Sequence, residues 1–418
     1  MAVVGGGWAG LAAAIEATRC GHQVTLFEMG PQLGGRSRGV NAVGTMLDNG
    51  QHILIGAYTQ TLALLRTVGV DLQATLLRTP LRITYPEGAG LQLQAGSPVF
   101  AFARAVIGLR LWRWRDRLAL LAAAGGWALR GFRCNPALTV SQLCRRLPAK
   151  VRQELIDPLC VAALNTPSGD ASATVFLRVL KDALFSGPGS ADLLLPRASL
   201  SDLLPLPAAR WLQAAGARIE LSCRVNRVAA QGQQWLLDDE LFDHVVLATT
   251  AVEAARLVQD IAPGWANVAA ALHYEPIVTV YLRGKGARLP EPMLALRADV
   301  NAPAQFVFDR GQLGGPAGLL AFVISGAQPW VDAGQAATLQ ATLAQAQAVL
   351  GAFLRGPLEP LQVLAEKRAT FRCTPALQRS PMRIAAGLFA AGDHVAGPYP
   401  ATLEGAVRSG IEAVRAIS

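Results

Sequence analysis

Charged residues are scarce, only 16% of the 418-residue chain, against about 25% in ordinary soluble proteins. That excludes a disordered or highly charged scaffold. Cysteines at metal or redox spacing are absent: Cys20, Cys134, Cys144, Cys160, Cys223 and Cys373 are scattered, with no C-x-x-C pair. With no secretory signal either, reduced cytosolic thiols are expected, and no metal site. Long apolar runs are lacking too. Leu118 to Leu129 falls well short of the roughly 20 residues that a crossing helix needs. No internal repeat, low-complexity linker or second G-x-G-x-x-G occurs. A separate nicotinamide nucleotide domain is therefore not expected.

Apolar residues are plentiful, 52% of the chain, which predicts a large core or an apolar ligand cavity. The length exceeds one ordinary domain, so two are expected, interleaved in sequence. Lys and Arg number 38 against 29 Asp and Glu, a net charge of +9. Much of the excess lies between Phe102 and Arg152, where Asp116 is the only acid and Trp112, Trp114 and Trp127 interrupt aliphatic runs. Nucleic-acid-binding faces rarely carry so much leucine and alanine, whereas interfacial segments do. The expected partner is an anionic membrane surface, with no nucleic acid. The expected location is cytoplasmic, peripherally associated with the inner membrane.

The strongest motif opens the chain. Ala2-Val3-Val4 reads as a buried strand, Gly5-Gly6-Gly7-Trp8-Ala9-Gly10 as a tight turn, and Leu11 to Thr18 as a helix. A second strand, Gln23 to Phe27, ends on Glu28. This is the order that a dinucleotide site requires. Gly5 permits the turn, Gly7 lets backbone approach a pyrophosphate, and Gly10 lets helix and strand pack closely. Ala9 lies within the same loop. Glu28 is placed to accept hydrogen bonds from ribose hydroxyls, which disfavours a 2′-phosphate and leaves FAD or NAD.

Pro31-Gln32-Leu33-Gly34-Gly35-Arg36 follows, then Asp48-Asn49-Gly50-Gln51-His52. Near the end, Gly387 to Asp393 reads as a strand closing on a Gly-Asp turn, and Thr402-Leu403-Glu404-Gly405-Ala406 opens a last helix. Together these elements resemble the flavin-containing amine oxidase and phytoene desaturase superfamily. The resemblance implies FAD, held by Gly34, Gly35 and Arg36 near the pyrophosphate, and by Gly392 and Asp393 near the ribityl chain. Gly50, Gln51 and His52 would lie on the flavin side, with Thr402 and Leu403 at the start of a helix facing the ring. Arg218 to Val228 and Asp243 to Thr250 read as further strands, Val225 matching a backbone contact to adenine.

The implied fold is α/β, a Rossmann-like FAD-binding domain interleaved with an α+β substrate domain of the amine oxidase and phytoene desaturase type. Residues 1–75, 205–268 and 375–418 would form the first domain. Residues 76–204 and 269–374 would form the substrate and membrane-associating part.

Amine oxidation fits poorly. Pro276 to Leu282 lacks the lysine that amine oxidases of this superfamily carry, and Thr402 stands where they place an aromatic. Several elements instead resemble the hydroxysqualene dehydroxylase (squalene-associated FAD-dependent desaturase) family. They are the glycine-rich start, Leu47 to His52, Pro158 to Thr166, and Glu275 to Leu282. That resemblance spans essentially the whole chain. It implies an apolar C30 isoprenoid alcohol as substrate, reductive loss of its hydroxyl to give squalene in hopanoid synthesis, and an external electron donor for the flavin. His52 is the candidate acid or hydroxyl-orienting group. Asn165 is a second candidate for the hydroxyl, or a cap for the turn before Thr166-Pro167. An oxidative polyene desaturase or isomerase remains the alternative, and a lipid-binding escort a third reading. The first strand is barely preceded by sequence, so a few N-terminal residues are expected to be missing.

Overall fold

A computed structural model of the chain describes residues 1–417 apart from Val43 and Ala95. At its centre is a six-stranded sheet in the order Arg218–Glu220, Thr25–Phe27, Ala2–Val4, Val245–Leu247, Leu388–Ala390 and Arg383–Ala385. All neighbours are parallel except the last pair. Parallel strands are covered on both faces, which is why Ala2-Val3-Val4 is apolar throughout rather than alternating. Val3, Leu26, Val246 and Phe389 point to one face, beneath the helices Trp8–Arg19 and Leu403–Arg415. Ala2, Val4, Phe27, Val245 and Leu247 point to the other, beneath the helix Ala251–Val258 and an antiparallel meander between Val228 and Phe242. The fold is α/β, as the glycine motifs imply.

One expected strand differs. Arg218 to Val228 is not continuous: the sheet strand stops at Glu220 and pairing resumes only at Val228. Between them Ser222 takes a positive φ of 55°, which breaks the extended run. Val225 therefore sits in a buried loop.

A second, antiparallel sheet has the order Met293–Ala295, Phe306–Asp309, Leu319–Ile324, Tyr274–Arg283 and Glu359–Phe371. Here alternation decides the faces. Val278, Val280 and Leu282 join a core closed by the helix Gln335–Leu350. Ile277, Thr279 and Tyr281 take the opposite side, toward the largest apolar cluster. That cluster also holds side chains of the helices Pro98–Ile107, Trp114–Leu129 and Ala173–Phe185. A small sheet made of Leu54–Ile55, Leu193–Pro196 and Leu76–Thr79 stitches the first stretch of chain to the later ones.

The arginine-rich segment is sorted by folding. Trp112 and Trp127 are buried, the indole of Trp112 donating to the Glu154 carboxylate at 2.7 Å. They are core residues, not interfacial ones. Trp114 alone of the three faces outward, together with Phe100, Leu111 and Leu118. Among the described residues, no helix is long and apolar enough to cross a membrane.

Candidate active site

The first glycine loop and the first helix meet at a tight crossing. A Cβ on Gly10 would collide with the Gly5 carbonyl, so only glycine lets helix and strand approach this closely. Gly7 differs, because a Cβ there would meet only Gly35 Cα, at 3.9 Å. Gly34 N donates to the Gly6 carbonyl at 2.8 Å, so the two glycine motifs lie against each other. The helix beginning at Trp8 has no side-chain cap and no acid in its first turn. Its unpaired amides and positive dipole end therefore face open space lined by Gly7, Trp8 and Ala9. That is the arrangement a pyrophosphate requires. Glu28 flanks it, its two carboxylate oxygens accepting from Gly6 N and Gly30 N, each at 2.7 Å.

Arg36 crosses from this loop to the far end of the chain. Its guanidinium donates to Asp393 Oδ1 at 2.7 Å and to the Ala369 carbonyl at 2.7 Å. Burial alone would raise the Asp393 carboxyl. The Arg36 charge and hydrogen bond, aided by His394 and Arg379, hold it below its ordinary value. The last helix begins at Leu403 with Thr402 as its cap, accepting from Gly405 N at 3.1 Å. Glu404, fully buried in the first turn, accepts from Gln60 N, Thr61 N, the Thr61 hydroxyl and Arg408.

Asp48 to His52 is held from below by a buried polar network. Tyr281 Oη donates to the Asp48 carbonyl at 2.7 Å and accepts from Gln51 Nε2 at 2.8 Å. Arg310 donates to Gln51 Oε1 at 3.2 Å and lies 3.5 Å from the Asp48 carboxylate. One donor and one acceptor position of the Gln51 side chain are thereby engaged within the protein. Burial raises the Asp48 carboxyl despite the Leu200 amide and Arg310. Sequence reading missed Tyr281 and Arg310. Their signal was weak: a lone phenol in an aliphatic strand and an arginine directly after Phe306–Asp309.

His52 projects from this loop, its Nε2 sharing a 2.8 Å hydrogen bond with Ser37 Oγ. Its Nδ1 is buried without a partner. Burial, with a smaller contribution from the Arg36 charge, lowers the imidazole from 6.5 to about 4 against the opposing Gly50 backbone. At neutral pH the ring is uncharged. It is equipped to orient a hydroxyl, not to act as a ready imidazolium acid.

Asn165, expected either to meet the hydroxyl or to cap the turn before Thr166-Pro167, borders the cavity and takes the capping role. It ends the helix Asp157–Leu164 in the left-handed region, with φ 47°. Its Nδ2 donates to the Glu275 carbonyl at 3.2 Å and Thr370 Oγ1 at 2.9 Å, and its Oδ1 accepts from Gly326 N at 2.7 Å. The amide is occupied in tying three segments together, which leaves it no free donor for a substrate hydroxyl.

One cavity of about 820 Å³ connects these pieces. At one end it is bordered by Gly5, Gly7, Glu28, Arg36, Val225 and Asp393. It passes Gly50, His52, Thr402 and Leu403, then enters a chamber walled by Ile83, Leu91, Phe102, Leu121, Phe132, Leu155 and Leu159. Val99 and Phe185, both partly open to solvent, mark a mouth among the three helices. Gly34, Gly35 and Gln51 also border the cavity, and Gly392 does so beside Asp393.

Residues 8–418 match the family described as flavin containing amine oxidoreductase. A hydroxysqualene dehydroxylase of Sinorhizobium fredii is 28% identical, over 98% of this chain and 95% of that protein. One from Rhodopseudomonas palustris is 27% identical, over 98% and 96%. Among solved structures, an oxidoreductase from Methanosarcina mazei superposes with a TM-score of 0.76 at 16% identity, covering 99% of both chains. Cyclohexylamine oxidase from Brevibacterium oxydans gives 0.71 at 16% identity, covering 100% of this chain and 98% of its own.

Proposed function

The chain belongs to the flavin-containing amine oxidoreductase family and is an FAD-dependent oxidoreductase; on that premise we propose that it converts hydroxysqualene, an apolar C30 allylic alcohol, to squalene for hopanoid synthesis. The observation that carries this reading is the continuity of the cavity, a dinucleotide strip at one end opening into an aliphatic chamber at the other. Its volume falls within the range of small-molecule sites, about 300–1,000 Å³. The hydroxysqualene dehydroxylase relatives support this choice of substrate.

Gly5, Gly7, Glu28, Gly34, Arg36, Asp393 and the cap at Thr402 are the residues that would hold FAD. Bound in its reduced form, FAD supplies a hydride, and an external donor must renew it. The chain's own part is to bind, orient and exclude water. Aliphatic walls would keep solvent from the allylic cation left when the hydroxyl takes up a proton and departs as water, the proton and the hydride together being the two hydrogens that a fully reduced flavin would give up. The loop carrying His52 is braced by Tyr281 and Arg310, so its imidazole is held in one orientation toward the alcohol.

The same reading places the substrate's route in a bilayer. Phe100, Leu111, Trp114 and Leu118 stand exposed beside the helical mouth, with Arg110, Arg113 and Arg115 exposed around them. Each basic residue at an anionic surface contributes about 1 kcal/mol. Peripheral docking at the inner membrane would pass the alcohol from lipid to chamber without crossing water.

The test is product analysis with anaerobically reduced protein and hydroxysqualene. Squalene formed in proportion to flavin oxidised supports the reading. An untouched alcohol, with phytoene desaturated under oxidising conditions, would replace it with the desaturase alternative.

A further inference from the structure

Gly50 has a φ of +89°, and the space that a side chain there would fill is bordered by two polar atoms. His52 Nδ1 lies 3.9 Å from it and Thr279 Oγ1 lies 4.0 Å from it. Neither is otherwise engaged. His52 Nδ1 is a buried nitrogen without a hydrogen-bond partner. Thr279 is 1% exposed, and its hydroxyl makes no hydrogen bond with the described residues. Buried polar atoms are almost always paired, so the unpartnered His52 Nδ1, with the Thr279 hydroxyl opening on the same gap, marks a place where a polar ligand atom belongs.

Thr279 is out of character for its position. It stands between Ile277 and Tyr281 on the inward face of a strand whose other face is Val278, Val280 and Leu282. An apolar side chain there would continue the pattern of its neighbours. The hydroxyl instead faces the cavity that His52 and Gly50 also border. Ser37, buried and bonded to His52 Nε2, fixes the ring, and Nδ1 borders the same gap as the Thr279 hydroxyl.

We infer that Thr279 Oγ1 and His52 Nδ1 grip the hydroxyl oxygen of the substrate across Gly50, with Ser37 as the positioning residue that sets the imidazole. This rests on the dehydroxylase reading and deepens it. The aliphatic chamber binds any long isoprenoid, whereas this pair separates the alcohol from the hydrocarbon product. An uncharged His52 suits the role, since a neutral ring accepts from the alcohol while Thr279 donates to it, or the reverse. A site that hydrogen-bonds a hydroxyl also rejects the analogue lacking it, because its polar atoms are then left unpaired. Product release follows from the same contact.

The experiment titrates FAD-replete, oxidised protein with hydroxysqualene and with squalene in detergent micelles, following the perturbation of the flavin absorbance. The parent protein should prefer the alcohol. Thr279→Val keeps the branched shape without the hydroxyl, and should weaken alcohol binding about tenfold while leaving squalene binding and flavin content unchanged. Thr279→Ser should restore the preference. Ser37→Ala should weaken alcohol binding as well, without loss of flavin. A Thr279→Val protein that still prefers the alcohol overturns the inference, as does one that loses both ligands equally or sheds its flavin. A parent protein indifferent to the alcohol, and inactive on it when reduced, overturns the dehydroxylase reading and this inference with it.

Discussion

Arg36 Nη2 and Asp393 Oδ1 lie 2.7 Å apart, an ion pair joining residues 357 positions apart in the chain. It clamps the second glycine motif to the turn before the last helix. The Arg36 side chain is one-third exposed and that of Asp393 largely buried, so removal of the arginine strands a carboxylate. Arg36→Met should lower stability by up to about 3–5 kcal/mol and release FAD on gel filtration. Asp393→Asn, which can still accept from Arg36, should lose less. Equal melting temperature and flavin content in Arg36→Met and the parent would mean that the clamp contributes nothing.

Gly7 and Gly10 separate binding from folding. A side chain at Gly7 meets little of the protein at its root, its Cβ touching only Gly35 Cα at 3.9 Å. Gly7→Val should therefore fold, with near-parental circular dichroism, yet emerge colourless. Gly10→Val collides with the Gly5 carbonyl and should be found mostly in the insoluble fraction. Stoichiometric yellow colour in Gly7→Val would contradict the assigned phosphate loop.

Asn165 should behave as a structural residue. Asn165→Ala removes an amide whose bonds reach Glu275, Thr370 and Gly326. An unsatisfied buried partner costs about 1–3 kcal/mol, so the urea midpoint should fall clearly. Turnover per bound flavin should stay within about threefold of the parent, far from the hundredfold or more that a lost general acid costs. A large drop in turnover with unchanged stability would return Asn165 to the catalytic set.

Two buried imidazoles govern the acid limb of stability. Burial lowers both His52 and His394 from 6.5 to about 4. The unfolded chain takes up protons below pH 6.5 that the folded chain refuses until about pH 4. Their contribution is thus complete above 6.5 and is lost progressively as pH falls toward 4, at about 2–4 kcal/mol for each. Urea midpoints at pH 7, 6 and 5 should decline in that order. The decline should be shallower in His394→Asn. A flat profile across this window would show that neither ring is held neutral.

The proposed membrane docking rests on arginines whose side chains stay exposed, Arg115 among them although it lies 3.6 Å from the Asp116 carboxylate. Arg117 is engaged with the carbonyls of Trp112 and Ile107, so it belongs to the fold. Changing Arg110, Arg113 and Arg115 to glutamine should reduce binding to phosphatidylglycerol vesicles by roughly two orders of magnitude at low salt, at about 1 kcal/mol per charge. The flavin spectrum should not change. Equal vesicle binding by the triple variant and the parent would remove this face from the route of the substrate.

Much was legible in the chain itself because its chemistry is local. Gly5 to Gly10, the strand before them and Glu28 after them form one short unit, and only glycine tolerates the crossing at Gly10. Gly34 to Arg36 and Gly392-Asp393 are equally compact signals. These determined the parallel sheet and the dinucleotide strip, and their resemblance to the flavin superfamily implied FAD.

What the tertiary structure alone decided were the partners of side chains far apart in sequence. Asn165 reads as a free amide until Gly326 and Thr370 are brought to it. Trp112 and Trp127 look interfacial until neighbouring helices bury them. Tyr281 and Arg310 are anonymous until they meet Gln51 and Asp48. Hydrogen bonding and burial act over a few ångströms in space and take no account of separation along the chain. A residue's type and neighbours therefore announce what it is able to do, and only the packed fold determines whether its donors are free to do it.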